Sequence, residues 1–169
     1  MSTIEQKIEW AEDIYARFGH KLLEDKQVQD LLKRLEENIE ATYLCMDETG
    51  VSEECALCAQ RTGSCCGKGI EDKCDKVTLL INLLMGVELP NERELEDGCF
   101  FQGPNGCKLL AREVICINYL CVPIHQKVGQ EDLIRLQEVG GEEMDTLFAL
   151  GNRIKLLLNS WGAREKMGL

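Results

Sequence analysis

Eight of the ten cysteines in this 169-residue chain fall into two groups whose spacing suits metal binding. The two groups are Cys55, Cys58, Cys65 and Cys66, and then Cys99, Cys107, Cys116 and Cys121. A Cys-x2-Cys pair can present two sulfurs to one metal, and four thiolates complete a tetrahedral Zn²⁺ site or hold an iron–sulfur cluster. The grouping therefore predicts a metal centre built from these eight cysteines. The spacing alone leaves zinc and iron open.

The adjacent pair Cys65 and Cys66 bears on how the ligands are shared. Side chains of adjacent residues usually diverge, so we do not expect both to bind one ion side by side. One could bind while the other serves a neighbouring site or caps a polynuclear cluster. Eight thiolates could thus hold two four-cysteine centres. Alternatively, four could hold one centre while the other cysteines act as redox groups or lie just behind the ligands.

Two cysteines and one histidine stand apart from this grouping. Cys45 falls on a helical pattern, where cysteine commonly packs as a small buried hydrophobe. Cys74 lies between the two groups, and its role stays open. His125 follows Cys121 by four residues and is a further candidate, because imidazole is a common metal ligand.

The charge of the chain argues against some classes of partner. Its 19 basic and 30 acidic residues give a net charge of −11, which disfavours binding to nucleic acid or to an anionic membrane. Residues 1–54 hold fourteen acids and six bases, so most of the excess lies there. We interpret this excess as a solvated helix face. An unknown protein partner stays open.

The sequence shows neither an export signal nor a membrane span. The N-terminus has no basic region followed by an apolar one, and the apolar stretch from Val77 to Val87 is too short to cross a bilayer. We therefore expect a cytoplasmic protein. Because thiols are kept reduced in that compartment, clustered cysteines there favour metal or redox roles over structural disulfides.

Apolar periodicity predicts helices at both ends of the chain. Residues 4–18 repeat at spacings of three and four, with a possible end at Gly19, and a second such pattern covers 28–43. This N-terminal part is either a helical hairpin or one long helix. Residues 131–139 and 142–161 predict two further helices, joined at Gly140 and Gly141.

The centre of the chain has a different character. Residues 49–76 show neither the helical nor the strand period and contain several glycine-rich turns, so we expect a loop that a ligand must order. Residues 77–86 predict a short buried helix ending at Gly86, with a buried strand as the alternative. Residues 98–125 again combine cysteines with loops, and 103–106, Gly-Pro-Asn-Gly, predict a turn.

The expected fold class is mainly α, as one small domain over residues 1–169. Its N-terminal part, 1–48, is helical. A loop-rich, metal-stapled cysteine centre follows over 49–125, and C-terminal helices occupy 130–162.

The ordered set of cysteines resembles a known family, the bacterial and archaeal cysteine-cluster proteins of the CxxCxxCC type, a zinc- or iron-chelating domain. In that family a Cys-x2-Cys ends in a Cys-Cys pair, followed by Cys-x-Phe, Gly-Cys, an Arg-Pro, and a final cysteine with a second one five positions on and an aromatic residue between them; here Glu113 follows the arginine. The residues that match are Cys55, Cys58, Cys65, Cys66, Cys99, Phe101, Gly106, Cys107, Arg112, Cys116, Tyr119 and Cys121.

The resemblance implies metal binding by these cysteines and assigns no reaction. From its place in the motif, we expect Arg112 to lie just behind the ligands, where it could donate hydrogen bonds to cluster sulfurs or offset thiolate charge. The alternative is a surface arginine. Whether the protein is an enzyme stays open.

Three functions fit these observations. The one we favour is an iron–sulfur protein, with 4Fe–4S as the first choice of cofactor and an electron-transfer or redox role. The alternative is a zinc-binding structural or interaction module without catalysis. The third is metal storage or delivery.

Overall fold

The structure, a computed structural model, describes residues 2–62 and 65–163. Its α-helices in chain order are α1 Ile4–Glu24, α2 Lys26–Glu48, α3 Val51–Thr62, α4 Lys76–Leu84, α5 Val114–Asn118, α6 Val122–Lys127 and α7 Gln130–Ser160. A 3-10 helix spans Ile70–Lys73, and the short antiparallel strands are β1 Gln102–Gly103 and β2 Gly106–Cys107. The chain is mainly α, as the sequence predicted.

The first two helices meet at a single residue, Asp25. Its carboxylate caps α2 by accepting from the N–H of Val28 at 3.0 Å, while its own N–H donates to Leu22 at the end of α1. The prediction that Gly19 could end the first helix is wrong. Gly19 lies inside α1 because the ring of Tyr15 covers it so closely that a Cβ would lie 2.8 Å from Cδ2.

The main core lies where α1 packs on α4 and α2 packs on α7. The helices α1, α2 and α7 each contribute an apolar stripe spaced by three and four residues. Buried members of this core are Ile14 on α1, Leu35 on α2, Leu80 on α4 and Ile154 on α7. The central helix α4 is buried nearly all round and is followed by Gly86 at a positive φ of 83°. The predicted short buried helix is therefore confirmed, and the strand alternative is wrong.

Residues 51–62 form a helix, so the expectation of a loop throughout 49–76 is wrong there. Gly50, at a φ of 78°, ends the preceding helix, and α3 begins at the next residue. Acidic Glu53 and Glu54 in the first turn and Arg61 in the last favour the helix dipole. Sequence reasoning missed this helix because cysteines and polar residues interrupt its apolar period. Of the described residues in that range, 65–75 keep the turn-rich character. In the later cysteine segment, 98–125, the helices α5 and α6 take the place of part of the expected loop.

The predicted pair of C-terminal helices is one continuous helix, α7. Gly140 and Gly141 lie inside it and do not form a joint. Gly140 faces α5, where a Cβ would lie 3.4 Å from Cγ2 of Ile117, an ordinary van der Waals contact. The predicted turn at 103–106 is confirmed as the loop of the β1–β2 hairpin.

A second, smaller core joins the end of α2, the start of α3, α6 and the start of α7. Its buried members are Cys45, Val51, Ile124, Val128, Leu133 and Leu136. Among the described residues, no helix combines the length and the apolar character needed to cross a membrane.

Candidate metal centre

The segment between β2 and α5 is tied to the buried helix α4 by one amide side chain. Asn82 is fully buried, and its Nδ2 donates to the carbonyl oxygens of Thr78 at 2.9 Å and Ala111 at 2.8 Å. Its Oδ1 accepts from the N–H of Leu110 at 2.9 Å and from that of Ala111 at 3.1 Å. Both donors and both acceptor positions of the amide are used. The core helix thereby fixes the backbone directly before Arg112.

Backbone contacts bring the two cysteine segments together. Gly67 and Gly98 form an isolated antiparallel bridge, and the N–H of Cys99 donates to the carbonyl oxygen of Cys66 at 2.7 Å. Residues more than thirty positions apart in the sequence are therefore neighbours here.

A buried ion pair reinforces this junction. The guanidinium of Arg93 donates to the carboxylate of Glu71 and to the carbonyl oxygen of Gly98. The two side chains are only 20% and 5% exposed. Burial raises the pKa of Glu71, but hydrogen bonds from Arg93 and from the N–H of Gly69 outweigh it, so the pKa lies below its ordinary value. The pair holds the 3-10 helix against the loop that carries Cys99.

These two attachments border a cavity of about 570 Å³, part of it open to solvent. Five thiols lie in its walls, together with polar and apolar side chains. The cysteines are Cys66, Cys74, Cys99, Cys107 and Cys116. We call Cys66, Cys99, Cys107 and Cys116 the inner cysteines and the space between them the thiol cavity. One inner cysteine comes from the first sequence group and three come from the second.

Burial sets the protonation of these thiols. It raises the pKa of Cys99 and of Cys116 to about 11 each, and neighbouring inner thiols add to both shifts. Burial also raises the pKa of Cys107, against the opposing effect of Arg112. The inner thiols therefore lie close enough to interact electrostatically. At neutral pH these three carry protons, which a metal would have to displace.

Arg112 lies in the wall of the thiol cavity, on the side of α7. Its side chain is 11% exposed, its Nη2 lies 3.8 Å from Oε1 of the buried Glu143, and its guanidinium stacks 4.7 Å from the ring centre of Tyr43. Within the described part of the chain, Arg112 Nε and Nη2 make no hydrogen bond, and neither do the Glu143 carboxylate oxygens. The alternative of a surface arginine is therefore wrong. The guanidinium keeps N–H groups available beside the inner cysteines.

The other four predicted ligands lie outside the walls of this cavity. They are Cys55, Cys58, Cys65 and Cys121, which we call the outer cysteines. Cys55 and Cys58 belong to α3, Cys65 follows α3 in the chain, and Cys121 is the N-cap residue of α6. Burial raises the pKa of Cys55, and the thiols of Cys121, Cys65, Cys58 and the inner Cys66 raise it further.

Sequence reasoning missed three residues of the thiol cavity. Cys74 lies in its wall, and burial raises the pKa of this thiol strongly, with Glu113 adding to the shift. Glu71 and Glu113 supply the wall's carboxylates. No motif marks these residues, since only the tertiary contacts bring them to the inner cysteines. Cys45 lies in the second core, as its helical pattern predicted, and His125 is exposed on α6.

The donor chemistry of the thiol cavity fits a thiophilic metal. Thiolates are soft ligands that select zinc and iron–sulfur clusters, and all ten cysteines, each within the described ranges, are outside disulfides. Across residues 2–62 and 65–163, no three His, Cys, Asp or Glu side chains are drawn together tightly enough to form a ready-made ion site. The inner cysteines line the walls of a space and do not meet at a point.

Comparison with known proteins found no match among protein-family models, curated proteins or solved structures.

Proposed function

We propose that this protein is a cysteine-cluster metalloprotein that binds an iron–sulfur cluster in the thiol cavity, with 4Fe–4S the first choice, and that it serves in electron transfer or another redox step. The observation that carries the proposal is the convergence of four cysteines from two distant segments on one cavity. Four thiolates are the ligand set of such clusters. The resemblance to the CxxCxxCC-type proteins points to the same chemistry.

We rank a cluster ahead of a single ion because the four inner cysteines are spread around one cavity. A lone Zn²⁺ needs four sulfurs at about 2.3 Å from one point, whereas a 4Fe–4S cluster takes its four thiolates at separate iron atoms. When bound, a cluster would supply one-electron redox chemistry, while the chain supplies ligands, enclosure and charge.

Arg112 would balance the charge of the site. Four thiolates add four negative charges, and Arg112 is the cation in the wall of the thiol cavity whose Nε and Nη2 lack hydrogen-bond partners among the described residues. N–H donors beside cluster sulfurs and nearby positive charge are known means of tuning the reduction potential. We assign Arg112 this role and the inner cysteines the role of ligands.

Anaerobic reconstitution with Fe²⁺ and sulfide tests the proposal. The wild-type chain should turn brown and show broad sulfur-to-iron charge-transfer absorption. Cys99→Ser should reduce this absorption by more than half, whereas Cys45→Ser, which removes a thiol from the second core, should leave it unchanged. A colourless wild-type protein that retains stoichiometric zinc would contradict the proposal and favour the zinc module. Equal loss in both variants would contradict the assignment of the ligands.

A further inference from the structure

A shallow groove lies between α5 and α7, and the proposed function makes no use of it. Its volume is about 210 Å³, part of it open to solvent. Ile117 and Leu120 line one side, and Leu136 and Met144 of α7 line the other. Cys116, the residue before Ile117, lines the thiol cavity instead. The short helix α5 therefore contributes to both spaces. We call the new one the α5–α7 groove.

The segment on the first side of the groove exposes large apolar side chains at high density. Those between 43% and 66% exposed are Val114, Ile115, Tyr119 and Val122. Residues 114–124 contain no charged side chain, in a chain that is 29% charged. On the other side, Phe148 lies one turn beyond Met144 and is 72% exposed. Apolar side chains gathered around a groove in this way mark a contact surface for another protein.

Gly141 leaves an opening on the α7 side of the groove. It lies inside a 31-residue helix, where glycine is less favourable than alanine. Among the described residues, no atom beyond the backbone of the helix itself would lie within 4 Å of a Cβ at Gly141. Packing within this part of the chain therefore gives no reason for glycine here. Gly140 lines the groove, so the next residue lies beside it, where the lack of a side chain lets a second backbone approach closely.

The charges beside the groove are acidic. Glu138 and Asp145 are exposed, each directly follows a residue that lines the groove, and their spacing of seven places them on one face of α7. Neither forms an ion pair with any residue in the described ranges. The basic residues of α7 each pair with an acid elsewhere in the chain, and they are Arg135, Arg153 and Lys155. This face therefore carries negative charge that the described chain leaves without a partner.

We propose that the α5–α7 groove is a docking site for a partner protein that presents an amphipathic helix, apolar along one face and flanked by Lys or Arg. The apolar face covers the groove and the exposed side chains of 114–122, which is the usual way a helix is recognised in a groove. Gly141 admits the backbone of that helix, and its basic residues pair with Glu138 and Asp145. A basic partner also complements the net charge of −11. The inference goes beyond the proposed function and does not require it, because none of these features depends on a metal.

Fluorescence anisotropy with two synthetic helical peptides tests the chemistry of the partner. The basic probe has leucine along one face and lysine on both flanks, and the acidic probe carries glutamate in place of each lysine. The reduced 169-residue chain should bind the basic probe in preference. Equal affinity for the two probes, or no binding of the basic probe, would overturn the inference.

Paired charge variants separate docking in the groove from a general attraction to an acidic protein. Glu138→Gln with Asp145→Asn should raise the Kd for the basic probe by about fivefold, because two exposed ion pairs are lost. The matched control is Glu9→Gln with Glu12→Gln, which removes the same charge from exposed positions of α1. It should change the Kd by less than about twofold, because salt screens distant charges. An equal rise in both pairs would mean that only net charge matters and would overturn the inference.

Filling the opening at Gly141 tests the position of the docked helix. Gly141→Leu should raise the Kd for the basic probe by about tenfold or more, as a substitution at the centre of an interface does. Because leucine is a better helix former than glycine, the Tm should not fall. Gly141→Ala adds a single carbon and should give a Kd between those of the wild type and Gly141→Leu. Unchanged binding by a folded Gly141→Leu would overturn the inference.

Sedimentation equilibrium without peptide tests whether a second copy of the chain occupies the groove. We expect a monomer. A dimer that Gly141→Leu dissociates would overturn the inference, because the groove would then be a contact between copies. The outcome is also distinguishable from that of the proposed function, since Gly141→Leu should lose the basic probe and still take up as much iron and sulfide as the wild type. Loss of cluster assembly in wild type and variant alike would contradict the proposed function alone.

Discussion

Replacing Asn82 should destabilise the backbone segment that leads into Arg112 in the wall of the thiol cavity. Asn82→Leu keeps the branched shape and the number of heavy atoms of the side chain and removes all four hydrogen bonds of the buried amide. The backbone N–H and carbonyl of Ala111, which is 1% exposed, then lose their partner. Leu110 is 41% exposed, so its N–H can turn to water.

The cost follows from the two buried groups of Ala111. Each unsatisfied buried polar group costs about 1–3 kcal/mol, so Asn82→Leu should lower the free energy of unfolding by about 3 kcal/mol. For a domain of this size, that loss corresponds to a fall in Tm of about 6–12 °C. Thermal unfolding followed by circular dichroism, on metal-free and reduced protein, measures this loss independently of metal binding.

Asn38→Leu is the matched control, because it removes an amide from the α2–α7 contact. Asn38 Nδ2 donates to the carbonyl oxygen of Glu142 at 3.1 Å and to the hydroxyl of Thr146 at 2.9 Å, in a half-buried position outside the walls of the thiol cavity. We expect a loss of about 1 kcal/mol there. Equal Tm shifts in the two variants, or a fall of less than about 2 °C for Asn82→Leu, would refute the reasoning.

Three further outcomes follow from the ion pairs and cysteines. Hydrogen bonds from Arg153 hold the pKa of Asp25 below its ordinary 3.8. The ionised Asp25 therefore stabilises the folded state fully above about pH 4, and this contribution to the free energy of unfolding is lost as pH falls through the folded-state pKa. Asp25→Asn still caps α2. In this variant the free energy of unfolding, measured with denaturant at a series of pH values, should fall less steeply on the acid side, and an unchanged pH dependence would contradict this. Arg93→Ala leaves the buried Glu71 carboxylate unpaired and should cost about 3 kcal/mol in urea unfolding; a loss below about 1 kcal/mol would mean that the pair is solvated. Cys45→Ser should leave zinc content unchanged, and loss of a full equivalent would show that Cys45 is a ligand.

Local signals in the sequence were sufficient for much of the helical frame. The apolar stripes of the long helices and the turn at 103–106 both appear in the structure. The signals failed at two glycines. Gly19 and Gly140 predict breaks, but α1 and α7 continue through them, and at Gly19 the ring of Tyr15 fills the place of a Cβ.

The candidate site could be predicted only in its donor types. The spacing of the cysteines predicted all four inner cysteines as ligands. The resemblance to the CxxCxxCC-type motif predicted that Arg112 lies just behind them. The division into inner and outer sets depends on which way Cys65 and Cys66 face, and that is decided by the bridge between Gly67 and Gly98. The contribution of Cys74 depends on the fold in the same way, because burial against distant segments leaves no local sequence pattern.

The central claim is that the inner cysteines hold a 4Fe–4S cluster. It is tested most directly by iron and acid-labile sulfide analysis of the anaerobically purified chain, together with Mössbauer spectroscopy. We predict about four iron atoms and about four sulfides per chain, with the quadrupole signature of a 4Fe–4S cluster. Substitution of Arg112→Ala should keep that iron content and shift the reduction potential. Protein that contains zinc but neither iron nor sulfide, and that takes up no iron on reconstitution, would contradict the claim.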